Sequence, residues 1–135
     1  MKVEKILCGE NVIRDIESGQ ITIYNLLDDI TAISYPFLIP KFSIYFFCER
    51  EDVEDATQSV NLKIFNNESQ LFHDKIQINF KDKIRNRAVV KFGGLAIPAS
   101  GFLIVRISNS ADDAILNETK IILSLLQQPP QVKAD

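Results

Sequence analysis

Apolar and polar residues alternate along most of this chain, most clearly in residues 102–108 and 118–126. Each segment places its apolar side chains on a single parity: Leu103, Val105 and Ile107, then Ile121, Leu123 and Leu125. Successive side chains of a β-strand point to opposite faces, so each set can line one side of a sheet. A corner marked by glycine and proline at residues 93–101 precedes them. The pattern predicts a closing β-hairpin.

The strongest central strand is predicted at residues 41–49. Phe42, Ile44, Phe46 and Cys48 form one face of it, and Ser43, Tyr45, Phe47 and Glu49 form the other. Further strands are predicted at residues 2–8, 20–26, 28–34, 59–65, 71–80 and 87–92, whereas residues 10–16 are ambiguous. No segment keeps an apolar period of 3.6 residues, and turn signals recur at the spacing of sandwiches. We therefore expect an all-β, two-sheet antiparallel β-sandwich of about 8–9 strands, immunoglobulin-like or C2-like.

The length of 135 residues predicts one domain, which we place at residues 1–126. Residues 127–135 are rich in glutamine and proline and are predicted to be a disordered tail. Segments 51–58 and 111–116 leave room for a helical turn. The start of the chain lacks the apolar core of a signal peptide, and no apolar run approaches the roughly 20 residues of a membrane span. These features predict a cytoplasmic protein without a membrane span.

Candidate catalytic chemistry is sparse in this chain. His73 is the single histidine, with no second base or nucleophile beside it. Cys8 and Cys48 fall in apolar alternating runs, which predicts two buried free thiols. Gly93 and Gly94 precede a strand-like run and not a helix, so they offer no phosphate-binding helix terminus. We therefore expect no enzyme activity, no metal site and no cofactor.

The basic residues of segment 75–91 show the clearest asymmetry. Lys75, Lys81, Lys83, Arg85, Arg87 and Lys91 are all odd-numbered, whereas these apolar residues are even-numbered: Ile76, Ile78, Phe80, Ile84, Ala88, Val90 and Phe92. This parity predicts one basic outer face on one sheet, with a bend near Asp82. The net charge of −3 and the absence of aromatic residues at the basic positions disfavour nucleic acid. An acidic protein partner and a merely solvated face remain open.

Two aromatic residues, Tyr45 and Phe47, are predicted to lie on the outer face of the central strand, where polar residues are usual. Phe102 and Ile104 present the same irregularity. The four residues together could form an exposed apolar patch for a partner or for self-association. Alternatively, residues 35–40 or residues 10–16 cover them. Open sheet edges offer a second route to self-association.

Residues 49–55 form an acidic loop with five carboxylates. Clustered carboxylates suit calcium, although this loop lacks the regular aspartate ladder and the glycine of a dedicated calcium loop. A solvated loop is the simpler interpretation. The alternative function is a C2-like module that binds calcium through this loop and anionic lipid through the basic 75–91 face.

Short motifs at residues 10–15, 19–21, 39–42, 86–87 and 93–101 resemble a family of small bacterial proteins of unknown function. The resemblance implies a compact β-sandwich of bacterial origin with no assigned activity, and it supplies no functional residues. The leading expectation is a non-enzymatic interaction module that binds a protein partner, self-associates, or does both. Its candidate binding residues are Tyr45, Phe47, Lys75, Lys83, Arg85, Arg87 and Lys91.

Overall fold

The computed structural model describes residues 1–52 and 54–127, and these residues form eleven β-strands without a helix. The strands are β1 (Lys2–Arg14), β2 (Ile21–Leu26), β3 (Asp29–Ala32), β4 (Phe37–Ile39), β5 (Phe42–Glu49), β6 (Thr57–Asn66), β7 (Ser69–Asn79), β8 (Arg85–Phe92), β9 (Leu95–Ile97), β10 (Gly101–Asn109) and β11 (Ile115–Leu125). The all-β prediction is confirmed. No helix capable of crossing a bilayer occurs in these two ranges. The predicted tail, apart from Gln127, lies outside the described residues.

The strands form two main sheets and one small ribbon. The four-stranded sheet has the order β2-β1-β5-β8, the five-stranded sheet has the order β3-β11-β10-β6-β7, and β4 pairs with β9. The expectation of wholly antiparallel sheets is wrong, because β3 runs parallel to β11. Parallel partners require a long connection, and β3 and β11 are far apart in the chain. The strand count exceeds the expected one because β4 and β9 are only three residues long, too short for alternation to reveal. The short β3 lies within the strand predicted at residues 28–34.

The inner faces of the two main sheets share one core, which is the arrangement of a β-sandwich. Phe42, Ile44, Phe46 and Cys48 of β5 have no exposed surface. The opposite layer is equally inaccessible and consists of Val60, Leu62, Ile64, Leu103, Val105 and Ile107. The predicted parity therefore holds. Cys8 and Cys48 are buried free thiols, as expected, and burial raises the pKa of each to about 12.

One prediction about the outer surface is wrong, and one of two open alternatives is excluded. Lys75 lies on β7 in the five-stranded sheet, whereas Arg85, Arg87 and Lys91 lie on β8 in the four-stranded sheet. The expected single basic face is thus split, because the chain crosses between sheets in the turn that contains Lys83. The four-residue apolar patch does not form either. Tyr45 and Phe47 belong to β5, and Phe102 and Ile104 belong to β10, so the two pairs lie on different sheets.

Candidate functional site

The outer face of the four-stranded sheet gathers most of the predicted binding residues. Three rows of directly opposed residues cross β1, β5 and β8 on this face: Lys5–Phe47–Arg87, Leu7–Tyr45–Val89 and Gly9–Ser43–Lys91. Opposed residues on neighbouring strands project to the same side of a sheet. The first row therefore places an aromatic ring between two cations, and the second row is apolar. In the third row, Gly9 and Ser43 have small side chains, so the surface beside Lys91 forms a shallow trough.

The hairpin formed by β1 and β2 folds over this trough. A Cβ atom on Gly9 would lie 2.5 Å from Ile23 Cγ2 and 3.0 Å from the Tyr24 carbonyl oxygen, so only glycine permits this approach. Ser43 points outward by parity, yet it is only 2% exposed. Its hydroxyl donates to the Glu10 carbonyl oxygen over 3.4 Å. Neither of the covers expected for Tyr45, residues 10–16 or residues 35–40, lines the cleft that holds it; residues 18–21 and Ile23 do.

The two aromatic residues of β5 are both half-buried, but under different covers. Tyr45 shares a cleft with Ile21 and Ile23 of β2. Phe47 lies under Arg85, whose guanidinium carbon is 5.8 Å from the ring centroid. Neither aromatic side chain is freely exposed on the sheet.

The tip of the hairpin is held by its own hydrogen bonds. The Gly19 amide donates to the Asp15 carbonyl oxygen and the Asp15 amide donates to the Gln20 carbonyl oxygen, both over 2.8 Å. The Ser18 hydroxyl donates to the Asp15 carboxylate over 2.9 Å, and this bond is the main reason that the pKa of Asp15 is lowered. Arg87 Nη1 donates to the Gly19 carbonyl oxygen over 3.3 Å. Arg87 therefore bridges β8 and the hairpin tip.

Two cavities flank this bridge, and Ile21 and Arg87 line both. The wide cleft has a volume of about 440 Å³ and is lined by Lys5, Leu7, residues 18–21, Ile23, Tyr45 and Arg87. The narrow pocket has a volume of about 200 Å³ and is lined by Val12, Arg14, Ile21, Arg87, Val89 and Lys91. None of the described lining residues is acidic. Each cavity therefore combines an apolar surface with cations.

The cations of the two cavities have no ion-pair partner in the part of the chain that the structure describes. Across residues 1–52 and 54–127, no carboxylate oxygen lies within 4.0 Å of the charged groups of Lys5, Arg14, Arg87 or Lys91. The nearest paired cation on this face is Arg85, whose Nε lies 3.8 Å from Glu49 Oε1. A protein with a net charge of −3 thus concentrates positive charge at one concave surface. Such a surface attracts anionic ligands.

The structure brings together Tyr45, Phe47, Arg85, Arg87 and Lys91, and it leaves the two remaining candidates elsewhere. Lys75 lies opposite Asn61 on the outer face of the five-stranded sheet. Lys83 lies in the turn between β7 and β8, where its carbonyl oxygen accepts a hydrogen bond from Arg50 Nε over 2.9 Å.

Sequence reasoning did not identify Lys5, Arg14 or the two isoleucines of β2 as parts of the site. One usable signal was Gly9, because a glycine inside an alternating strand indicates the close approach of another backbone. That signal points to a contact at Gly9, but it does not indicate which segment makes the contact. The positions of the four missed residues depend on how the hairpin folds over the sheet.

The acidic loop is tied down by cations. The amino group of Met1 lies 2.8 Å from Glu54 Oε1, and its hydrogen bond is the main reason that the pKa of Glu54 is lowered. Arg50 Nη1 donates to the Glu54 carbonyl oxygen over 2.9 Å. Glu49 neighbours Arg85. Within the part of the chain that the structure describes, no group of three or more acidic, histidine or cysteine residues could hold a metal ion.

Comparison with known protein families finds no matching family model, and comparison with curated proteins finds no significant match. The resemblance of the short motifs to small bacterial proteins therefore stays an expectation. The function has to be inferred from the geometry and charge of the chain itself.

Proposed function

We propose that this chain is a non-enzymatic interaction module that binds an acidic segment of a protein partner on the outer face of the four-stranded sheet. The observation that carries the proposal is the set of cations in the wide cleft and the narrow pocket that have no carboxylate partner among residues 1–52 and 54–127. Complementary charge guides a partner to its site and sets the register of binding. Arginine and tyrosine, both present here, are enriched where proteins bind one another.

The shape of the site supports a chain segment as the ligand. The wide cleft has Leu7, Tyr45 and Ile23 on its surface, and Lys5 and Arg87 lie on opposite sides of the sheet row that crosses it. An extended segment can place an apolar side chain in the cleft and a carboxylate beside each cation. The apolar contact contributes affinity, and the charges contribute orientation and association rate.

Nucleic acid is a weaker candidate for the same face. Base stacking requires an open aromatic surface. Phe47 is covered by Arg85, and the cleft that contains Tyr45 is closed on one side by the hairpin. The basic charge alone would support binding that does not discriminate sequence and that weakens steeply with salt.

Self-association is the second part of this proposal, and the basic face is a poor route to it, because two copies of a positive surface repel each other. The edges of the sheets are better routes, since β7 and β8 each pair on one side only. Size-exclusion chromatography with light scattering tests this part. A strict monomer at all micromolar concentrations would argue against it.

The proposal also includes the localisation, the sandwich subtype and the origin of the protein. We place the protein in the cytoplasm because buried free thiols suit a reducing compartment. The immunoglobulin-like or C2-like subtype and the bacterial origin are proposed with it.

The alternative function, a C2-like module dependent on calcium, ranks lower because Glu49 and Glu54 of the acidic loop already neighbour cations. An unchanged thermal midpoint at millimolar calcium would remove that alternative.

A charge-reversal pair tests the main proposal. Arg85→Glu with Arg87→Glu alters the basic face, and Lys75→Glu with Lys83→Glu makes the same change in net charge away from it. Binding of fluorescent poly-glutamate, measured by anisotropy at physiological salt, should weaken at least about tenfold for the first pair and less than about twofold for the second.

Thermal melting should show that both pairs remain folded. Equal losses in the two pairs would mean that only overall charge matters, and no loss in either would mean that the face is merely solvated. Either result would overturn the proposal. A fluorescent single-stranded oligonucleotide that binds more tightly than poly-glutamate at the same salt would replace the acidic segment with nucleic acid as the ligand.

A further inference from the structure

We infer that the narrow pocket is a binding site for a phosphate monoester, presented as a phosphorylated side chain of the partner's acidic segment. The inference rests on the proposed function and specifies one subsite of it. The structural basis is the convergence of Arg14, Arg87 and Lys91 around an apolar cavity of about 200 Å³. Ligand sites for whole small molecules usually measure roughly 300–1,000 Å³. The pocket is therefore sized for a chemical group and not for a complete cofactor.

The charge of the pocket matches a phosphate monoester better than a carboxylate. Three cations line it, and no described lining residue is acidic. A phosphorylated side chain carries about −1.5 to −2 charges at pH 7 and offers three strong acceptor oxygens. A carboxylate carries one charge and two oxygens. A single carboxylate would leave most of the positive charge of the pocket without compensation.

Most N–H donors of the pocket's cations are not used by hydrogen bonds within the described ranges. Arg87 uses Nη1 for the Gly19 carbonyl oxygen, so its remaining N–H groups can still turn to a ligand. The side chains of Arg14 and Lys91 donate no hydrogen bond to any residue in the described ranges. Guanidinium groups bind phosphate oxygens in a bidentate manner, and a lysine adds a point charge.

The cations enter the pocket from two separate elements. Arg87 and Lys91 project from the same face of β8 on either side of Val89, about 13 Å apart along the strand at ~3.3 Å per residue. Arg14 reaches in from the hairpin, where it pairs with Ile21. The surface between them is formed by Val12, which is only 4% exposed, together with Ile21 and Val89. Apolar walls lower the local dielectric and strengthen the attraction for an anion.

A phosphoinositide in a membrane carries the same phosphate chemistry, but the surroundings favour a protein ligand. Asp15 and Glu17 are exposed at the hairpin tip next to the pocket. A flat anionic bilayer would bring its own negative charge against these carboxylates. A narrow peptide can place its phosphate in the pocket without covering the tip.

The test uses free ligands of matched size and nuclear magnetic resonance of the labelled protein. Titration with O-phosphoserine should shift the signals of Arg14, Arg87 and Lys91, and glutamate should bind at least about tenfold more weakly. The variant Arg14→Ala with Lys91→Ala should lose at least about tenfold in O-phosphoserine affinity. The control Lys75→Ala with Lys83→Ala removes two cations elsewhere and should bind as the wild type does.

Each other result overturns the inference. O-phosphoserine binding no tighter than glutamate, or equal losses in the two double variants, would show that the pocket does not recognise phosphate. Tight binding to phosphatidylcholine vesicles with 5% phosphatidylinositol 4-phosphate, without binding of O-phosphoserine, would assign the pocket to membranes.

If the Arg14/Lys91 variant does not melt cooperatively, Lys91→Met, which keeps the aliphatic stem, carries the same expectation. Poly-glutamate binding that still depends on Arg85 and Arg87 would leave the proposed function standing while this inference fails.

Discussion

The outer faces of the two main sheets both carry arginine and lysine, but within residues 1–52 and 54–127 the ion pairs of the five-stranded sheet are shorter than the 3.8 Å pair of Arg85 with Glu49 on the four-stranded sheet. There, Arg106 Nε lies 2.9 Å from Glu118 Oε2, and its guanidinium carbon is 4.8 Å from the centre of the Phe65 ring. Lys63 Nζ lies 2.8 Å from Asp113 Oδ2. On the four-stranded sheet, the cations of the wide cleft and narrow pocket have no such partner among the described residues.

The difference separates structural charges from charges that are available to a ligand. A cation that is hydrogen-bonded to a carboxylate and packed on a ring contributes to the sheet that holds it. Unpaired cations gathered on one face repel one another, which lowers the stability of the folded state. Proteins tolerate such a cost chiefly at functional surfaces. The four-stranded sheet is therefore the better candidate for binding.

The two faces also differ in shape. On the five-stranded sheet, Phe102 and Ile122 are 47% and 50% exposed and pair directly across β10 and β11. On the four-stranded sheet, the hairpin over Gly9 creates two cavities. Concave surfaces hold ligands better than flat ones because they contact more of the ligand's surface.

The largest effect should come from lifting the hairpin away from the basic face. Gly9→Ala places a methyl group against Ile23 and the Tyr24 carbonyl oxygen, and it should lower the free energy of unfolding by about 1–3 kcal/mol, the usual cost of overpacking. Urea denaturation measures it. Gly93→Ala is the control, since a Cβ there has no neighbour within 4 Å. Equal stabilities for the two variants would show that the hairpin does not rest on the sheet.

A smaller effect should separate paired from unpaired cations. Arg106→Ala removes the bond to Glu118 and the contact with Phe65, and it should destabilise the protein by about 1 kcal/mol. Lys91→Ala removes a cation that has no carboxylate partner among the described residues, and it should change stability by less than about 0.5 kcal/mol. Urea denaturation at low salt compares the two variants. A loss at Lys91 as large as that at Arg106 would contradict the distinction between the faces.

The smallest effect is a dependence on pH in the five-stranded sheet. Hydrogen bonds from Lys63, Ser108 and Asn61, in that order, lower the pKa of Asp113 to about 2. A pKa lowered by folding stabilises the protein above the unfolded value of about 3.9 and loses that contribution as the pH falls toward 2. Thermal midpoints of the wild type should therefore exceed those of Asp113→Asn at pH 5, and the gap should close near pH 2.

The Asp113→Asn comparison isolates the effect of the carboxylate charge, because the substitution is isosteric and a matched control is available. Asp113 has a φ of 58°, a backbone conformation that asparagine also tolerates, so the substitution adds no backbone strain. Asp82→Asn removes the same charge from the turn between β7 and β8 and serves as the control. A gap for Asp113→Asn that is constant from pH 5 to pH 2 would mean that the ionised carboxylate does not stabilise the loop.

The alternation of the chain was sufficient to predict the interior. Ile78 and Phe80 are 3% and 1% exposed, and Tyr45 and Phe47 face outward, as their parity requires. Parity is a local property of an extended backbone, so a sequence displays it directly. The same rule failed to detect β4 and β9, because strands of three residues contain too few alternations.

The basic residues of segment 75–91 show where local sequence patterns stop predicting the tertiary structure. The odd parity of Lys75 and Arg85 is the same, yet the chain moves to another sheet between them. The sheet to which a strand belongs depends on which distant strands it forms hydrogen bonds with. The sequence of residues 75–91 does not contain that information. All six of its cations were assigned to one face for this reason, and only Arg85, Arg87 and Lys91 lie on β8.

Inward and outward orientation followed from neighbouring residues alone, because a strand alternates its side chains whatever it pairs with. The meeting of Arg14 with Arg87 and Lys91, and the partial cover over Tyr45, arose only when the hairpin folded back over Gly9 and Ser43. That fold brings together residues more than 70 positions apart in the chain. Contacts of this range depend on packing between whole elements, so the composition of this site became visible only in three dimensions.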